Sequence, residues 1–173
     1  MKVLTPESFV DYCKTEMLEG RDMLHTVFAV RNGESVAAFI DPATPPSMLS
    51  KAFAIAGSSM VGAFEDGGPP ELVMIGRETW MSKQDAVQPC EDPNRREGLA
   101  ITVAHHSKRE YYVLIYEITR KGSSIDLFQT GRFESGQFRD NNMGAFFKGM
   151  LDAHKGVPPE AAGLHVIEMT PKR

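Results

Sequence analysis

The chain predicts an α+β fold, a mostly antiparallel sheet of about five to seven strands with three helices packed on it. Three observations carry this. Apolar residues recur at helical spacing in three separate stretches. Strand-like alternation occupies most of the chain between them. Short turns join several successive strands, at Asn32-Gly33, Ser107-Lys108-Arg109 and Lys121-Gly122-Ser123, so those neighbours run antiparallel. The 173 residues suit one domain over 1–173 and suffice for a sizeable core.

Thr5-Pro6-Glu7 is a helix start: Thr5 can cap, Pro6 fits the first helical position and Glu7 favours the positive helix end. Phe9, Cys13 and Met17 make one apolar face, and Gly20 is the stop. Cys13 reads as a small core residue. Met23 to Arg31 is strand-like and holds His25, read as a packing residue. Asn32-Gly33 is a hairpin turn, and Ser35 to Ile40 is the returning strand. Thr44-Pro45-Pro46 starts a second helix, with Met48, Leu49, Ala52, Phe53, Ile55, Ala56 and Met60 as its stripe. Its small residues, Ala52, Ala54, Ala56 and Gly57, predict close approach to a sheet. Glu65 to Pro70 is a loop.

The next strand, Leu72 to Ile75, runs on to Glu78 and the single tryptophan, Trp80. A long polar loop follows, then a strand from Leu99 to His105 with Leu99, Ile101 and Val103 on one face. Tyr111 to Thr119 is apolar on both faces, which suits a strand covered on both sides or one that offers a face to a partner. Ser107-Lys108-Arg109 and Lys121-Gly122-Ser123 are turns, and Ile125 to Phe133 completes a meander. Asp140 can cap a helix from Asn141 to about His154, with Met143, Phe146, Phe147, Met150 and Leu151 facing the core. Gly156 and Pro158-Pro159 end it, and Leu164 to Met169 is a last short strand.

The net charge of −4 weighs against a nucleic-acid binder. Up to Pro70 there are 5 basic and 9 acidic residues, and from Glu71 onward 14 of each, so the acidic excess belongs to the N-terminal part. Arg95-Arg96, Lys108-Arg109 and Arg120-Lys121 lie near Tyr111, Tyr112 and Tyr116, a pattern that can stack single-stranded nucleic acid. Acids interleave with these residues, so charges guarding a sheet edge are the commoner explanation. Cys13 and Cys90 form neither a disulfide framework nor a zinc spacing, and no stretch resembles a signal peptide. A reducing, cytoplasmic setting is expected. No run approaches the roughly 18 apolar residues of a membrane span.

The chemically capable side chains concentrate between Glu71 and Leu99. Glu78 and Glu97, with His105 or His106, could act as an acid/base set around Trp80, because an indole beside a carboxylate desolvates it. Glu78 is equally placed to pair with Arg95 or Arg96 and pin the loop. Cys90 could be a nucleophile with His105 or His106 as base, but Glu91 and Asp92 would oppose its thiolate. A metal site from His105, Glu78 and Asp92 lacks any recognised ligand spacing, so no metal and no cofactor is expected.

The segment RETWMS, a polar linker and EDPNRREGLAITV resemble a group of uncharacterised bacterial and phage-borne proteins. These carry an acid and a tryptophan two apart on a strand, then a proline–Asp/Asn–Arg–x–Glu loop and an apolar strand. The matching residues are Glu78, Trp80, Pro93, Asn94, Arg95 and Glu97. The resemblance implies that this strand–loop–strand unit is the fixed part of the fold. It implies an accessory protein of a mobile element and no particular substrate. The resulting expectation is a non-enzymatic binding or accessory protein that works by self-association or on a protein partner. Trp80, Asp92, Asn94, Arg95 and Arg96 are its binding residues. An acid/base hydrolase and a single-strand binder are the alternatives.

Overall fold

A computed structural model describes residues 2–21, 25–41, 43–82, 91–105, 108, 110–134, 141–154 and 166–172. Among them the chain forms three α-helices, α1 (Pro6–Leu18), α2 (Leu49–Met60) and α3 (Asn141–His154). There are seven strands: β1 (Thr26–Arg31), β2 (Glu34–Ile40), β3 (Leu72–Met81), β4 (Arg96–His105), β5 (Glu110–Lys121), β6 (Ser124–Glu134) and β7 (Val166–Lys172). They make one sheet in the order β6-β5-β4-β3-β1-β2-β7, every neighbouring pair antiparallel. The fold is α+β.

Strand alternation splits the core in two. Phe9, Cys13 and Met17 of α1 bury against Phe28, Met74, Leu99, Ile101, Val103 and Ile118 on one face. Ala52, Phe53, Ala56 and Met60 of α2 and Met143, Phe146 and Met150 of α3 bury against Val27, Ala29, Val36, Ala38, Ile40, Val73 and Ile75 on the other. Each fully buried aromatic or aliphatic side chain contributes about 1.5–3 kcal/mol. Burial pushes the Cys13 thiol far above its ordinary range, with Glu16 and Glu78 acting in the same direction and a backbone hydrogen bond against it.

α1 begins as its sequence predicts. The Thr5 side chain accepts the Ser8 N–H, and the Ser8 hydroxyl accepts the Thr5 N–H at 3.0 Å, so two otherwise orphaned donors are satisfied. Phe9 fits because Gly76 lies beneath it: a Cβ there would stand 2.8 Å from the ring. Asn32 and Gly33 take φ of 47° and 73°, the paired positive values of a type I′ turn. Asp66 of the following loop clips this hairpin. It accepts from Arg31 Nε at 2.8 Å, Asn32 Nδ2 at 2.9 Å and the Gly68 N–H at 2.9 Å. The Arg31 bond is the largest reason its carboxyl is held down at about 2, and the Gly68 bond is the next.

Several expectations are corrected. His25 lies before β1 at φ 51°, not within the strand, its ring edge-on to Phe53. The second helix opens with a 3-10 turn, Pro46–Met48, and Thr44 lies ahead of it, its N–H bonded to the Asp41 carbonyl. Close approach by α2 is to α3 and not to the sheet. A Cβ on Gly57 would come within 1.9 Å of the Phe146 carbonyl oxygen, and one on Gly149 within 1.8 Å of that of Ala54. Leu151 is 60 % exposed, on the outer side of α3. β4 starts at Arg96 and not near Leu99, and the last strand runs Val166–Lys172. Asp140, Gly156, Pro158, Pro159, Ser107 and Arg109 lie outside the described residues. No helix among the described residues is long and apolar enough to cross a membrane.

Candidate functional site

The β3–β4 ladder runs from Leu72 opposite His105 to Met81 opposite Arg96. Its loop end sets Trp80 across from Glu97 and Glu78 across from Leu99. Leu99 belongs to the α1-side cluster, so by alternation Glu78, Trp80 and Glu97 face the α1 side. Arg96 faces the other way.

Of the loop after β3, Ser82 and residues 91–95 are described. They are organised by Asp92, which is 8 % exposed. Its Oδ2 accepts from the Ser82 hydroxyl at 2.5 Å and its Oδ1 from the Asn94 N–H at 2.8 Å. Its carbonyl accepts the Arg95 N–H at 3.2 Å. Asp92-Pro93-Asn94-Arg95 is therefore a β-turn with Asp at the first position and Pro at the second, where those residues favour it. The carboxylate joins the loop's far end to the end of β3. Pro93, Asn94 and Arg95 of the turn are exposed. The Arg95 guanidinium lies 4.6 Å from the centroid of Trp80, which is itself 47 % exposed.

Two ion-pair groups flank the turn. On the α1 face Arg120 of β5 reaches Glu97 Oε2 from Nε at 2.8 Å and Glu78 Oε1 from Nη2 at 3.8 Å. One arginine thus bridges both carboxylates of the expected acid/base set. On the opposite face Arg96 pairs with Glu117. His105 stands at the other end of β4, six residues from Leu99, or about 20 Å at roughly 3.3 Å per residue. The sheet brings Glu78 and Glu97 together and sets His105 far from them. His106 and Cys90 lie outside the described residues.

Among the five expected binding residues, Arg95 lies over Trp80, Asn94 is exposed next to Arg95 on the turn, Asp92 bonds the Asn94 N–H, and Arg96 is turned to the other face onto Glu117. Among the described residues, Asp92 ties the turn to Ser82, and Glu78 pairs with Arg120. Arg120 and Glu117 escape sequence reasoning because only the β4–β5 register brings them to this end of the sheet. Tyr112 and Tyr116 are half-buried against the α1-side cluster, and burial raises both hydroxyls above their ordinary range. Tyr111 packs toward α2 and α3. The three tyrosines thus divide between the two faces of the sheet and form no continuous stacking surface. No cluster of three or more His, Cys, Asp and Glu side chains among the described residues could hold a metal ion.

No protein-family model, no curated protein and no solved structure matches this chain.

Proposed function

We propose that this is a non-enzymatic binding or accessory protein of bacterial or phage origin, working in the cytoplasm. It engages a protein partner through the Trp80–Arg95 patch, and it self-associates. The observation that carries the reading is the half-exposed indole of β3, capped by a guanidinium that sits on a turn locked by a buried carboxylate. Tryptophan and arginine are the side chains that most often dominate protein interfaces. A locked turn loses little conformational entropy on docking. The bridging of Glu78 and Glu97 by Arg120, with His105 about 20 Å away along β4, supports binding over acid/base chemistry.

A photo-crosslinking residue in place of Asn94, in the producing cells, is expected to give a discrete protein adduct. The same residue in place of Asn32, on the distant hairpin, is expected not to give it. Trp80→Ala should abolish the adduct while leaving the circular dichroism spectrum unchanged. The same adducts from both positions, or none from Asn94, would overturn the reading.

A further inference from the structure

We propose that β6 is the seam of a two-fold homodimer. In it the β6 strands of two copies pair antiparallel, and Phe128 of each copy lies across from Phe133 of the other.

β6 ends the sheet. It is paired with β5 on one side, and among the described residues no strand lies on its other side. It is 11 residues long, and most of them are exposed. A long free edge offers a row of backbone donors and acceptors to another strand. Phe128 is 72 % exposed and Phe133 41 %, and both count among the exposed large hydrophobic side chains of the described residues.

The register shows what these two residues share. Phe128 pairs with Glu117 and Phe133 with Val113. Glu117 and Val113 are four apart on regular β5, so both phenylalanines point to the same face, the one opposite α1. Five residues apart on an unbroken strand, they would point to opposite faces. The irregularity between Ile115 and Tyr116, where β6 carries the extra residue Thr130, reverses the alternation and brings the two rings to one side.

That bulge also selects the occupant. An antiparallel pairing about a two-fold axis that passes between the Thr130–Gly131 peptides of the two copies sets each Phe128 opposite the second copy's Phe133. It sets Gln129 opposite Arg132, both on the α1 face. The faces match along the strand, and a single sequence supplies both halves of two aromatic cross-strand pairs, as an isologous contact requires. The charges do not obstruct it. Arg132 pairs with Glu134 and lies 3.9 Å over the Tyr112 ring of its own copy, on the face away from the phenylalanines. β6 contains neither Pro nor Lys, the residues that most often blunt an edge.

Sedimentation of the full chain over the micromolar-to-millimolar range is expected to show a reversible monomer–dimer equilibrium. Phe128→Lys and Phe133→Lys should each weaken it about tenfold or more, about 1.4 kcal/mol, with an unchanged melting temperature of the monomer. Gln129→Cys chains mixed with Arg132→Cys chains, both in a Cys90→Ser background, should form the mixed disulfide in preference to either like pair. A chain monomeric throughout, a dimer indifferent to both lysine variants, or no preference for the mixed disulfide would overturn the proposal. Its failure is separable from failure of the Trp80 reading. A monomer that still gives the Asn94 adduct removes only the dimer, and a β6 dimer without that adduct removes only the partner surface.

Discussion

Asp92 shows how much of the candidate site rests on one carboxylate. It takes a hydroxyl and an amide hydrogen bond while nearly buried, and it shapes the turn that presents Arg95 to Trp80. Asp92→Ala leaves those donors without their acceptor and is expected to cost about 1–3 kcal/mol in urea unfolding. It should also make Trp80 fluorescence more accessible to acrylamide. Asp92→Asn keeps an acceptor for the Asn94 N–H and should lose markedly less. Equal losses from the two variants would show that the turn does not depend on that bond. Sequence reading marks a long polar loop carrying Asp92, Asn94 and Arg95 but not the β-turn they make with Pro93, although each residue favours its place there. It does not find Arg120 at Glu97, because that contact spans 23 residues and exists only through strand register. Cys13 is buried in the α1-side core. Its peptide should take up a thiol reagent only as fast as the whole molecule unfolds, and prompt labelling would contradict its placement.

At the scale of elements, glycines decide which helices can touch. Gly57 and Gly149 each face the other helix's backbone. Alanine at either should separate α2 from α3 and cost about 1–3 kcal/mol or more, since backbone cannot step aside as a side chain can. Gly144, on the same α3, has nothing within 4 Å of its Cβ position. Gly144→Ala should be neutral or stabilise by about 0.4–1 kcal/mol. Thermal melts of the three variants check the contrast. The small-residue stripe is legible in the sequence, but its target is not, because periodicity marks a face without saying what meets it.

The β1–β2 hairpin clip gives a second element-scale prediction. Asp66 is held at about 2, below its ordinary 3.8, so its bonds to Arg31 and the Gly68 N–H favour the folded state fully above 3.8. That contribution fades as pH falls from 3.8 toward 2. Asp66→Asn should flatten the acid limb of stability within that window and leave its shape at neutral pH unchanged. An identical acid limb in both proteins would contradict the clip.

At the scale of the molecule, the α+β class, the three helices and the meander follow from alternation and turn chemistry that each segment carries locally. The strand order does not. β1 sits between β2 and β3, and β7 returns to β2 from more than a hundred residues away. No local preference encodes such a pairing; it pays its loop-closure entropy only once the two-faced core exists.

That return has a consequence for synthesis. β2 reads ESVAAFI, and until β7 arrives its outer edge is an apolar strand with open backbone groups. At ordinary translation rates the interval between the two strands is on the order of 10 s. Through that interval the growing chain carries an aggregation-prone segment that its own last strand will cover. A chain cut after His154 keeps both helical layers and all six other strands but leaves that edge open for good. It should bind thioflavin T and pellet at concentrations where the full chain stays clear. A truncated chain that remains dispersed would show that β2 needs no cover.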